Sequence, residues 1–176
     1  MRATRLTVAA LSATALFLTG CSDSGGGEKE HSADKDSTAC AIGRVAVQVG
    51  PASAAPAAGD TGDVPVSLTN RGAACTLEGF PGVDLYAGNT STDLQPAKGA
   101  KSQKLTLAKN ASATFTITYE RGTAGAKDVL DATTLKISLP GSSAQQSYKW
   151  SYGPVQGEGG PGVLKASVSA FQQGGD

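Results

Sequence analysis

Val64-Pro65-Val66-Ser67-Leu68-Thr69-Asn70-Arg71-Gly72-Ala73-Ala74-Cys75-Thr76-Leu77-Glu78-Gly79-Phe80-Pro81-Gly82-Val83-Asp84-Leu85-Tyr86 reads as strand, tight turn, cysteine-bearing strand, Pro-Gly turn and further strand. Val64, Val66 and Leu68 share one parity, and a period of two means a strand with one buried face. Pro65 donates no backbone hydrogen bond, which predicts that the start of this strand lies on an edge or ahead of the ladder. Asn70-Arg71-Gly72 has turn chemistry. Cys75 and Leu77 face inward on the next run. Phe80-Pro81-Gly82-Val83 suits a type II turn, with Pro at the second position and Gly at positive φ at the third.

The same alternation extends both ways. Upstream, Val45, Val47 and Val49 form one face of a strand over 42–50, and the Ala-, Pro- and Gly-rich segment 51–62 ends it. Downstream, Val83 and Leu85 lead into a turn at Gly88-Asn89-Thr90-Ser91. Gln103, Leu105 and Leu107, then Ala113, Phe115, Ile117 and Tyr119 around Lys109-Asn110, predict a hairpin whose other face is threonine. Residues 120–134 hold no clear period; Ala124 to Ala132 has room for a helical turn, which Gly122 and Gly125 discourage. Leu135, Ile137 and Leu139 resume strand parity. Tyr148, Trp150 and Tyr152 share a face, and Val163 to Phe171 makes a last strand of ambiguous register. About eight short strands separated by turns predict an all-β chain folded as a β-sandwich over residues 40–176.

Composition agrees. Of 176 residues only 5% are aromatic while 23 are glycine, which suits strands and turns rather than helices. Fifteen basic residues balance fifteen acidic ones, and loss of Met1–Gly20 with Arg2 and Arg5 leaves a net charge of −2. That gives no basic surplus to neutralise phosphates, so nucleic acid is not an expected partner.

Residues 1–20 open with Arg2 and Arg5 and continue in an apolar run from Leu6 to Leu18. That run is shorter than the roughly 20 residues a membrane-spanning helix needs, and has the order of a secretory signal. It ends in Leu18-Thr19-Gly20-Cys21, which resembles the bacterial lipobox. The resemblance implies cleavage before Cys21, a diacylglyceryl group on its thiol, and anchoring on the extracellular side of the cell membrane. The alternative is an ordinary secretion signal beside an incidental cysteine. Residues 21–39 follow as a Gly- and Ser-rich charged linker that buries too little to repay ordering. As a flexible coil it reaches about 23–25 Å. His31, the sole histidine, sits there.

With Cys21 allocated to lipid, Cys40 and Cys75 remain as a pair for a disulfide in an oxidising compartment; two free buried thiols are the alternative. The bridge closes a loop of about 35 residues, and chain-entropy arithmetic gives roughly 4 kcal/mol.

Cys40, the Val64-to-Asn70 strand and above all Thr69-Asn70-Arg71-Gly72-Ala73-Ala74-Cys75-Thr76-Leu77-Glu78-Gly79-Phe80-Pro81-Gly82-Val83 resemble the actinobacterial "domain of unknown function 4232" family. The resemblance implies an immunoglobulin-like all-β domain in a secreted or lipid-anchored envelope protein. It implies no activity. Many members carry a further cysteine pair in the second half, which this chain lacks.

Chemistry is sparse. Histidine-dependent nucleophilic catalysis and zinc binding need imidazoles that residues 40–176 do not contain. The expectation is therefore no enzyme, no cofactor and no metal. Carboxylate pairs remain: Asp60 with Asp63, and Asp128 with Asp131, serve a glycosidase only if they converge in a cleft, and could help hold calcium although neither fits a calcium-loop pattern. Asn89-Thr90-Ser91 and Asn110-Ala111-Ser112 match the glycosylation triplet and lie in predicted turns. The Tyr148, Trp150 and Tyr152 row is either core or a binding face for a sugar or a protein. Three readings follow. The first is a monomeric, membrane-anchored, non-catalytic module that binds an envelope protein or polymer. The others are a carboxylate-dependent glycan enzyme and a purely structural envelope lipoprotein.

Overall fold

Branched residues at every second position commit Val64–Thr69 and Ala113–Tyr119 to extended backbone, because they pack well on a pleated surface while the other parity stays wet. The computed structural model describes residues 38–159 and 162–175. The expectations for Met1–Gly20, for Cys21 and for the linker as far as Ser37 lie outside the described residues.

Among the described residues the chain is all-β, with fourteen strand segments and no helix. They are β1 (Val45–Val49), β2 (Thr61–Asn70), β3 (Cys75–Glu78), β4 (Gly82–Ala87), β5 (Thr90–Asp93), β6 (Gln95–Pro96) and β7 (Lys104–Leu107). After them come β8 (Ser112–Glu120), β9 (Val129–Leu130), β10 (Thr134–Ser138), β11 (Gln145–Lys149), β12 (Val155–Gln156), β13 (Ala166–Val168) and β14 (Gln172–Gln173). One sheet runs β1-β2-β8-β13-β6, with β14 also on β8; the other runs β11-β10-β4-β5. Two ribbons, β3-β7 and β9-β12, complete a sandwich-like arrangement. Every strand pair is antiparallel except β13 with β6.

The inward parities expected from the sequence form one core. Val64, Val66, Leu68, Phe115, Ile117 and Tyr119 from the first sheet join Val83, Leu85, Leu135 and Ile137 from the second. Between β5 and β6 the buried Leu94 turns the chain from one sheet to the other, its N–H donating to Val83 C=O at 2.8 Å. Such a sheet switch splits one extended run into two strands, which is one reason the count exceeds eight.

The expected β7–β8 hairpin does not form. β8 pairs with β2 along nine residues, Thr61–Thr69 against Ser112–Glu120, while β7 pairs with β3 along four. Asn110, at φ 66°, turns the chain from the β3-β7 ribbon into the first sheet. Alternation decides which side of a strand faces inward; it does not choose the neighbour, and the longer ladder takes β8.

β2 as a whole has neighbours on both sides, but β1 covers only Val66–Asn70, so Pro65 lies in the opening stretch that ladders with β8 alone. Its missing donor falls where β1 ends. Gly50 N–H donates to Pro65 C=O at 2.8 Å, and the reciprocal bond is the one a proline cannot make. The positive φ expected at Gly82 belongs to Gly79 instead (117°), and Gly82 begins β4. Residues 120–134 contain β9 and no helical turn.

Cys40 and Cys75 are disulfide-bonded. Beside the bridge, Cys40 N–H donates to Thr76 C=O at 2.9 Å and Thr76 N–H to Thr38 C=O at 2.7 Å. The incoming chain is thereby laid parallel to β3 and fixed before β1 begins.

Asn70, fully buried at the end of β2, links the segments around it. Its Nδ2 donates to the carbonyls of Ala73 at 2.8 Å, Leu107 at 2.9 Å and Ala108 at 3.3 Å, and its Oδ1 accepts from Gly72 N–H at 2.9 Å. Asn70→Ala leaves these buried groups without partners and is expected to cost about 3 kcal/mol. Asn70→Asp keeps the acceptor for Gly72, loses both donors and is expected to do no better at neutral pH. Urea denaturation checks both; a loss under about 1 kcal/mol for Asn70→Ala contradicts this role.

Candidate functional site

The aromatic row lies on the core side. Trp150 is 3% exposed, its ring edge-to-face with Tyr119 at 5.2 Å and with Tyr152 at 4.9 Å. Its Nε1 donates to Gly153 C=O at 2.6 Å. Tyr148 and Tyr152 are half-buried, and their hydroxyls are spent on the backbone of the first sheet. Tyr148 donates to Val47 C=O at 2.9 Å and Tyr152 to Gly50 C=O at 3.4 Å. Burial raises both phenols above the usual range, with the Tyr119 phenol adding to the effect at Tyr152. The Gly50 carbonyl is the acceptor that Pro65 leaves unused. Tyr148, Trp150 and Tyr152 therefore hold the two sheets together, and the binding-face alternative for this row gives way to the core one.

The two acid pairs adjacent in sequence do not form cleft pairs. Asp60 accepts from Ala57 N–H at 3.0 Å, while Asp63, already within β2, accepts from Thr118 Oγ1 at 2.7 Å. Asp128 accepts from Gln156 Nε2 at 2.7 Å and Asp131 from Gly125 N–H at 3.2 Å. Each carboxylate pins a different loop or strand. No group of three metal-binding side chains occurs among the described residues.

A different pair faces across strands. Asp84 on β4 stands directly opposite Asp93 on β5. Like charges at such positions are destabilising. The Asp84 carboxyl is pushed above its ordinary value by partial burial first and then by Asp93; the hydrogen bond from Gln145 and the charge of Lys136 pull it back. Gln145 Nε2 reaches Asp84 at 3.0 Å and Gln95 Nε2 reaches Asp93 at 2.7 Å. Lys136 is turned over the Tyr86 ring, 4.1 Å from its centroid. Asp93 also lines a groove of about 340 Å³ together with Glu158, so two acids do share a concave surface.

The pairing had a signal in the sequence. Asp84 and Asp93 are equally far from the two-residue turn Gly88-Asn89, and Val83, Leu85, Thr92 and Leu94 occupy the buried parity around them. Gly88 takes φ 58°, as a tight hairpin asks of its first loop residue. Reading the turn without the strand after it left the pair unseen. Glu158, on a glycine-rich loop, had no such pattern.

The geometry defines an all-β, sandwich-like domain with one disulfide at its chain entrance and a polar face on its four-stranded sheet. The chain belongs to the family described as "Domain of unknown function (DUF4232)", which matches it over residues 40–172. No curated protein matches the chain.

Asp93→Asn removes the like charge facing Asp84 and keeps the acceptor for Gln95. Because the folded Asp84 carboxyl is raised above its unfolded value of 3.8, its penalty is present at neutral pH and fades as pH falls through the folded value. Asp93→Asn is therefore expected to stabilise by roughly 0.2–1 kcal/mol at pH 7 and by less near pH 4. Thermal melts at the two pH values check the sign; destabilisation at pH 7 contradicts it.

Proposed function

We propose that this protein is an extracytoplasmic lipoprotein, anchored through a lipid on Cys21, whose domain acts as a non-catalytic recognition module at the cell envelope. The observation that carries the reading is the Cys40–Cys75 disulfide at the point where the chain enters the domain. Such bonds persist outside the reducing cytoplasm. Upstream of the bridge, the apolar run of the chain ends in Leu18-Thr19-Gly20-Cys21. A diacylglyceryl group supplies two chains, and stable anchoring takes more than one. Hydrogen bonds from Thr76 and Cys40 fix the chain's entry, so that pull on the linker is taken by the bridge and the β3 backbone. A sandwich-like scaffold with polar faces suits recognition, by analogy of architecture.

Cys21→Ser is expected to move the protein from the membrane fraction to the soluble extracellular fraction. Retention at the wild-type level contradicts the anchor. The second reading, a carboxylate-dependent glycan hydrolase, draws on the groove shared by Asp93 and Glu158. It predicts turnover of purified wall fragments by the wild-type chain and loss of turnover in Asp93→Asn; no product release from the wild type leaves the recognition reading in place.

A further inference from the structure

The groove that holds Asp93 and Glu158 lies between the β5–β6 segment and residues 158 and 162–167. Gln95 and Pro96 form one wall, Val163 and Leu164 the other. Val163 is 58% exposed, the one large hydrophobic side chain left so open among the described residues. Backbone bonding holds this wall in place: Glu158 N–H donates to Val163 C=O at 2.6 Å, and Gly157 bridges Leu164.

The charge around the groove is one-sided. Neither Asp93 nor Glu158 has a salt-bridge partner among the described residues. Lys165, which feels Glu158 and Asp128, is taken by Glu120 at 2.9 Å. Lys136 is drawn over Tyr86 on the neighbouring strands. Lys98, two residues beyond Pro96, is not part of the lining. An apolar wall beside two carboxylates that have no salt-bridge partner among the described residues complements a side chain with an aliphatic stem and a cationic head. The opposed Asp84 and Asp93 add to the case, since a pairing that costs stability is most readily retained where its field is used.

We infer that this groove docks a lysine or arginine side chain of a partner protein, the inference resting on the reading of the domain as a recognition module. Asp93 and Glu158 receive the cationic head, and Val163 and Pro96 cover the stem.

The test is the binding of labelled hexalysine to the detergent-solubilised full chain by fluorescence anisotropy, with hexaglutamate and hexaserine as controls. Hexalysine is expected to bind, more weakly as salt rises, and the controls are not. Asp93→Asn, Glu158→Gln and Val163→Ser, all at exposed positions, are each expected to weaken hexalysine binding about two- to fivefold. Glu78→Gln, whose acid pairs with Lys104, is expected to leave it unchanged. Equal binding of all three peptides overturns the inference, as does wild-type affinity in the Asp93→Asn/Glu158→Gln double variant or an equal loss in Glu78→Gln. Crosslinking in intact envelopes separates this inference from the reading beneath it. A partner captured equally by the wild type and the double variant removes the groove and leaves the recognition module. No partner captured by either removes the module.

Discussion

One carboxamide governs how this chain crosses between its layers. Asn70 ends β2, and its backbone exchanges hydrogen bonds with the turn that opens β8: Asn70 N–H to Ala111 C=O at 3.0 Å, and Asn110 N–H to Asn70 C=O at 2.8 Å. Its side chain at the same time satisfies carbonyls at the end of β7 and in the turn before β3. Four chain segments thus meet at one buried amide. A carboxamide suits this place because it offers two donors and an acceptor without a charge to bury. The turn after β2, the disulfide at Cys75 and the register of β3 against β7 all follow from where this group holds the chain.

The second half of the domain has no disulfide to match the first, and aromatic residues bind it instead. Tyr119 accepts from Ala55 N–H at 3.2 Å and donates to Tyr152 C=O at 2.7 Å, with Trp150 packed against it. Arg121 extends the same cluster through Ala55 C=O at 2.7 Å. The loops that follow β1, β8 and β11 are joined by these bonds. Each polar atom that burial would otherwise penalise has a partner, and no buried side-chain nitrogen or oxygen among the described residues lacks one.

Much of the fold was legible because one physical rule, period two with one face dry, runs through the chain. It placed Val45, Val64, Leu77, Val83, Phe115 and Ile137 in the core, where the structure has them. Neighbour choice was not legible, since alternation is indifferent to which strand lies alongside; hence β7 beside β3. Turn chemistry misled where two glycines competed, and Gly79 rather than Gly82 took the left-handed backbone. At the candidate site the cross-strand acids were readable from the Gly88-Asn89 turn. The groove was not, because Glu158 reaches it from a loop whose course no local pattern sets. The disulfide was readable by elimination alone.

The link from Tyr148 to β1 has a consequence for encounters between molecules. Gly50 and Arg44 bond toward β2, so the alternating Val47 carbonyl points out along the margin of the first sheet, beside which no further strand lies among the described residues. That margin is where a stray extended peptide would otherwise zip on and seed a growing fibre. A phenol from β11 already holds the oxygen in its middle. Crowded copies of the chain therefore meet a margin whose central hydrogen-bonding group is taken, and self-templating is denied its first rung.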